Sequence, residues 1–265
     1  MGDKDQKYSR LLEPGSIGKV RTRNRIIKTA AGTSFVEKGG YIGDMIIDFY
    51  AALARGGVGL IVVESCGVDF PAGIHHLPVQ LHLNDDKYIP GYQKLTQTVH
   101  NYDCPVFLQL FHSGPWHPFE TTGITPIAAS DLPAEQKKEF GLKQLRGLEI
   151  EEIEGLVNKF AEAAVRSQKA GFDGVEINAN STHLINTFMS PVWNKRQDEY
   201  GCDTLTNRAR FMTDIIKAVK NKCGQGFAVS ILITGGEFGI ENGTTVKDAV
   251  AMSKLAEEAG ADAVQ

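Results

Sequence analysis

A few positions combine reactive side-chain types with suggestive surroundings. Gln109 lies in the apolar run Pro105-Val-Phe-Leu-Gln-Leu-Phe111, where an amide that both donates and accepts needs a partner. His112 and His117, with Trp116 between them, follow on the loop leaving that run. At a strand end they suit a substrate-binding or lid role; the bland alternative is a pair of surface histidines. Asn194, Arg196, Asp198 and Tyr200 form a set that either binds substrate phosphates or braces a turn. Asn207, Arg208 and Arg210 read as architecture. Cys66, Cys104, Cys202 and Cys223 show no CxxC spacing. No zinc or iron–sulfur motif is therefore expected within this stretch, no metal site is assigned, and a reducing, cytoplasmic compartment is favoured.

The elements that must position these residues alternate along the chain. Apolar runs at 25–31, 58–63, 105–111, 173–178, 227–233 and 261–265 read as strands. The run Val58-Gly-Leu-Ile-Val-Val63 is almost wholly apolar, as a parallel strand covered on both faces should be. Helical patterns fall at 44–55, 89–102, 149–170, 207–221 and 245–260, with Asp44 expected as an N-cap and Gly171 as a helix stop. The polar segment 113–147, with prolines at 115, 118, 126 and 133, is too long for a plain connector and is expected to cover a site. Strand–helix alternation says α/β with a parallel sheet. GxGxxG is absent after the first strand, where Ala31-Gly-Thr-Ser34 stands, so a (β/α)8 TIM barrel is expected rather than an open doubly wound sheet. Such a barrel is truncated after about six strands here, making residues 1–265 one incomplete barrel whose open edge invites self-association, hence a homo-oligomer.

Composition narrows the classes. With 28 Lys+Arg against 32 Asp+Glu, the net charge of -4 gives no reason to expect nucleic acid. No apolar run approaches the length of a membrane span, and the opening MGDKDQKYSR has no signal-peptide core. Gly2 hints at myristoylation, but Gln6 stands where that pattern wants Ser or Thr.

Four segments resemble the old yellow enzyme family of NADH:flavin oxidoreductases, in particular its 2,4-dienoyl-CoA reductase, enoate reductase and trimethylamine dehydrogenase branch. They are Leu12-Glu-Pro-Gly-Ser-Ile-Gly18 with Arg23-Asn-Arg-Ile26; Ala54-Arg-Gly-Gly-Val-Gly-Leu60; Gln109-Leu-Phe-His-Ser-Gly114; and the run from Gly171-Phe-Asp-Gly-Val-Glu-Ile177 through Ser190-Pro-Val-Trp-Asn-Lys-Arg-Gln-Asp-Glu-Tyr-Gly201 to Asn207-Arg-Ala-Arg-Phe211.

The resemblance implies FMN as cofactor and NADH or NADPH as electron donor. It places the flavin against Ala30, Ala31, Gly32, Ser65 and Gln109. Asn178 and Ser181 take the positions that anchor a substrate; His112, from where its loop emerges, and Arg196, from the charged set, are further candidate substrate contacts. His183 takes the place of the branch's proton-donating tyrosine, and an imidazole titrates where that role needs it. Any four-iron cluster would lie in a region downstream of this chain. The family arginine of the fifth strand is replaced by Leu232, which removes a cation expected to stabilise reduced flavin; Lys28 is a poorer substitute.

The resemblance implies hydride transfer from NAD(P)H to an activated C=C bond of an enoate, enone or enoyl thioester. Two alternatives stay open. One is an amine dehydrogenase of the trimethylamine dehydrogenase type. The other is a degenerate, non-catalytic barrel subunit, motivated by Leu232 and the Asn178/Ser181 pair.

Overall fold

Apolar β-branched runs that alternate with amphipathic helices make a parallel sheet whose two faces must both be covered, either by helices on each side or by helices on one side and the sheet's own curl on the other. The computed structural model describes residues 8–75 and 80–265 and has the second arrangement. The expectations for the leader and for Gly2 lie outside the described residues. The strands are β1 (Ile27–Lys28), β2 (Leu60–Gly67), β3 (Val106–Phe111), β4 (Gly174–Ala179), β5 (Ala228–Ile233) and β6 (Ala263–Val264). Each pairs in parallel with the next, in strict chain order. A short strand, Leu81–His82, pairs beside the end of β2.

The helices between them are α1 (Asp44–Arg55), α2 (Ile89–His100), α3 (Ile150–Lys169), α4 (Leu205–Cys223) and α5 (Val246–Ala259). Gly43, not Asp44, is the N-cap of α1; Asp44 is its first helical residue, where its charge still favours the helix dipole. Glu149 and Glu152 close a capping box on α3, and Gly171, at φ 88°, turns the chain away after Ala170. No helix among the described residues is long and apolar enough to cross a membrane.

Register divides each strand into two faces. Ile61, Val63, Leu108, Leu110, Val175, Ile177, Val229 and Ile231 join the large core under the helices. On the opposite face Leu60, Val62, Phe107 and Ala228 form a small inner cluster, capped by Ile17 and Val20 of the hairpin Gly15–Ile17/Val20–Thr22. Gly174 belongs to this inner layer: a Cβ there would lie 2.8 Å from the Phe107 ring, so the glycine makes room for the phenylalanine. Above this apolar floor the inner face turns polar.

Two aspartates tie neighbouring units together. Asp173, just before β4, accepts from Val106 N–H at 2.8 Å and lies 2.9 Å from His100 Nε2 at the end of α2. Asp262, just before β6, accepts from Val229 N–H at 2.8 Å and from Lys220 Nζ, in the last turns of α4, at 2.6 Å. In both cases the aspartate's own N–H returns to the same strand residue's carbonyl.

The segment 113–147 packs its Ala128, Leu132 and Leu145 against Trp193, beyond the helix Leu184–Met189, with Trp116, Phe140 and Leu142 around them. Ile127–Ala128 pairs with Arg146–Gly147 inside it.

Candidate functional site

The polar layer sits where the inner faces of β2, β3 and β4 approach their C-terminal ends. A register shift in β2 between Val63 and Cys66 places Glu64 and Ser65 in a bulge against β3. That bulge re-aims Ser65, whose hydroxyl donates to Gln109 Oε1 at 2.5 Å. Gln109 Nε2 donates to Glu176 Oε1 at 2.7 Å, directly across the β3–β4 pairing. Asn178, one inward position further along β4, donates through Nδ2 to Gln109 Oε1 at 3.1 Å. Its own Oδ1 accepts from Asn180 N–H at 3.1 Å. Gln109, Glu176 and Asn178 are all buried, and Ser65 is half-buried. Burial raises the Glu176 carboxyl above its ordinary range, and the hydrogen bond from Gln109 opposes that rise.

Sequence reasoning missed Glu176. The signal was present: an acid two residues before Asn178 in an otherwise apolar strand must share its face. Glu64 was missed as well. Its carboxylate accepts from Thr33 N–H at 2.8 Å and from Thr33 Oγ1 at 2.6 Å, which holds the loop after β1. In that loop Ala30 is half-buried while Ala31 and Gly32 are exposed, so small residues leave backbone open beside the polar layer.

His183 follows two residues with left-handed backbone, Ser181 at φ 54° and Thr182 at φ 57°. It is half-buried at the N-terminus of the short helix Leu184–Met189. Its ring meets Phe111, at the end of β3, edge-on at 4.6 Å. Ser181 is exposed, and its N–H donates to Thr234 Oγ1 beyond β5 at 3.2 Å. Thr182 Oγ1 accepts from Trp116 Nε1 at 2.9 Å, which ties the long segment to this loop.

The structure therefore brings Ser65, Gln109 and Asn178 into one network and sets His183 against Phe111 near it. It treats His112 and Arg196 differently. His112 is fully buried; its Nδ1 accepts from Gly114 N–H at 3.0 Å and its Nε2 lies 4.0 Å from Asp69 Oδ2. Burial lowers that imidazole to about 4, so it is neutral at ordinary pH. Arg196 donates to Asp198 through Nε at 3.0 Å and Nη2 at 2.5 Å, and to the carbonyls of Ala129 and Leu148 through Nη1. Of the two readings of the Asn194–Tyr200 set, this geometry is the brace. His117 is likewise engaged, with Nδ1 at 3.1 Å from the Ile74 carbonyl and Nε2 at 2.7 Å from Thr122 Oγ1.

Leu232 lies opposite Asn178 in the β4–β5 pairing and is half-buried on the inner face. Lys28 pairs with Ile61, a residue of the helix-side core, and its Nζ lies over the rings of Tyr50 and Phe49 on α1 at 5.3 and 5.9 Å. It points away from the polar layer, so it cannot replace a cation there. Among the described residues no group of three or more His, Cys, Asp or Glu is gathered so that it could hold a metal ion.

The sequence model describing the NADH:flavin oxidoreductase / NADH oxidase family matches residues 10–265. An NADH oxidase of Thermoanaerobacter brockii is 39% identical over 254 residues, covering 96% of this chain and 38% of that protein. The chain thus spans well under half the length of that relative. A 2-naphthoyl-CoA reductase, solved with 2-naphthoyl-CoA, superposes with a TM-score of 0.87 at 25% identity, over 97% of this chain and 40% of that one. An old yellow enzyme homologue from Zymomonas mobilis superposes with a TM-score of 0.83 at 24% identity, over 96% of this chain and 72% of that one. The sequential parallel sheet described above is that of a (β/α)8 barrel, represented here by six of its strands.

Proposed function

Because the chain belongs to the NADH:flavin oxidoreductase / NADH oxidase family, we propose that it holds FMN at the C-terminal ends of β1–β4 and passes hydride from NADH or NADPH to an activated C=C bond of an enoate, enone or enoyl thioester. The observation that carries this reading is the network of Ser65, Gln109, Glu176 and Asn178 beside the exposed Ala31–Gly32 backbone. Its donor set fits a flavin: one amide hydrogen of Gln109 is left over for a pyrimidine edge, and Ala31 and Gly32 of the β1 loop are exposed. Bound there, FMN supplies the centre that takes up and gives out hydride.

The chain's own residues do the rest. Thr33, gripped by Glu64, fixes the loop that faces the flavin. Asn178 keeps one amide hydrogen for a substrate oxygen after bonding Gln109. His183 holds the proton that the product takes, and the segment 113–147 is tied to the loop that carries it through Trp116 and Thr182. The four cysteines are free, in keeping with a cytoplasmic enzyme. The neutral Asn178, which polarises a carbonyl less than an imidazolium would, favours as a second reading an amine dehydrogenase.

A visible spectrum of the purified full-length protein is the first test, with oxidised-flavin bands expected. A colourless protein that gains no bands on adding FMN would favour the non-catalytic barrel suggested by Leu232. Steady-state assays with enoyl thioesters and with methylamines then separate the two catalytic readings, and turnover of the unsaturated substrate is the expected result.

A further inference from the structure

The hydrogen bonds in the polar layer all run one way. Asn180 N–H donates to Asn178 Oδ1, Asn178 Nδ2 donates to Gln109 Oε1, and Gln109 Nε2 donates to Glu176 Oε1. The chain begins at a backbone N–H, which cannot accept, and ends at a buried carboxylate, which when ionised cannot donate. Ser65 adds a second donor to Gln109 Oε1 and is indifferent to direction, since a hydroxyl can turn. Both lone pairs of Gln109 Oε1 are therefore used, while one Nε2 hydrogen is not. Turning the Gln109 amide end over would set its oxygen against the carboxylate and its NH2 against that of Asn178. Turning Asn178 as well would leave the Gln109 oxygen against the carboxylate and set a second NH2 against the N–H of Asn180.

We propose that Glu176 is a positioning residue: it locks the Gln109 amide so that this part of the barrel interior offers a hydrogen-bond donor and no acceptor. A ring edge meeting Gln109 must then present an acceptor, such as a carbonyl oxygen, and not an imide N–H. The identity of that ring rests on the flavin reading given above, whereas the orientation of the amide does not. A terminal amide torsion is broad and two-fold, so without Glu176 the Gln109 Nε2 loses its acceptor and the choice between the two settings rests on the single, longer bond from Asn178.

The test uses full-length protein, freed of flavin and labelled with nitrogen-15 on glutamine side chains, with Gln109→Leu identifying the resonance. In the unmodified protein one Gln109 Nε2 hydrogen should exchange slowly and the other quickly. Glu176→Gln, which can accept through its own oxygen, should keep that asymmetry and bind FMN within about twofold of the parent. Glu176→Leu should abolish the asymmetry, weaken FMN about threefold to tenfold, the worth of one hydrogen bond, and shift the flavin reduction potential. Equal exchange of the two hydrogens in the unmodified protein overturns the proposal, even if the Leu variant does not fold. So does a folded Glu176→Leu protein with unchanged resonances and potential. Asymmetric exchange in a protein that takes up no FMN would instead sink the flavin reading and leave the locked amide standing.

Discussion

Gly114 and Leu184 meet so closely that no side chain fits between them. At φ 61°, a Cβ on Gly114 would lie 2.7 Å from the Leu184 backbone nitrogen and 2.8 Å from its Cα. The Leu184 N–H in turn donates to the His112 carbonyl at 3.2 Å, so the loops leaving β3 and β4 are fastened at one point. His183 is the residue beside that fastening.

Gly114→Ala should therefore cost more than an ordinary surface change. Left-handed backbone strain together with a backbone clash predicts a loss of about 1–3 kcal/mol or more. Thermal unfolding of the full-length protein measures it. An unchanged midpoint would mean that the two loops part without cost.

Acid should destabilise the fold through His112. Its imidazole is held at about 4 when folded, against 6.5 when free, so the unfolded chain binds the extra proton between those values. Stability is full above about pH 6.5, falls as pH drops toward about 4, and levels off below; the whole effect is roughly 3 kcal/mol. His100 works in the opposite sense, because its hydrogen bond to Asp173 raises its pKa. Its contribution is present below 6.5 and fades as pH climbs through the raised value, and partial exposure keeps it small. Melting His112→Gln alongside the parent across this range should show a flatter acid slope in the variant. Equal slopes would assign the acid sensitivity to other groups.

His183→Phe keeps a ring against Phe111 and removes the proton. Turnover of an unsaturated substrate should fall by about 10²–10⁴-fold, while reduction of the flavin by the nicotinamide nucleotide continues at the parental rate. Stopped-flow measurement of the two half-reactions separates them. A parental oxidative half-reaction would show that the proton comes from elsewhere.

Leu232→Arg should tighten FMN and raise its reduction potential, because Leu232 lies on the inner face beside Asn178, with no cation from Lys28 on that side. Flavin titration and a redox titration against a dye check both effects. Weaker binding would indicate that the longer side chain overfills the site.

The strands and helices were legible because a parallel sheet under helices demands apolar runs at regular intervals, and every expected element is present. Boundaries shifted where local geometry intervened. The run 58–63 became β2 at Leu60–Gly67, extended by the bulge, and 25–31 shrank to the Ile27–Lys28 pairing. Site residues were legible only as far as side-chain alternation could be followed. Gln109 and Phe111 face inward, so His112, next in line, turns the other way and is buried toward Asp69. Glu176 shares its face with Asn178 for the same reason, yet an acid in an apolar strand declares its partner only once register sets it against Gln109. The aim of Ser65 depends on a bulge that no residue type announces.

The paired aspartates have a bearing on where this fold can be divided. Asp173 and Asp262 each stand at the threshold of one strand while holding the first turn of the strand before it and the tail of the helix leading there. Successive strand–helix repeats therefore overlap by a residue and are not bricks laid end to end. A circular permutant opened between Gly260 and Asp262, or a shuffled barrel joined just ahead of Asp173, would separate a clasp from what it closes. Seams placed on the opposite rim, in the loops that follow the strands, leave both clasps whole and are where recombination of such barrels should succeed.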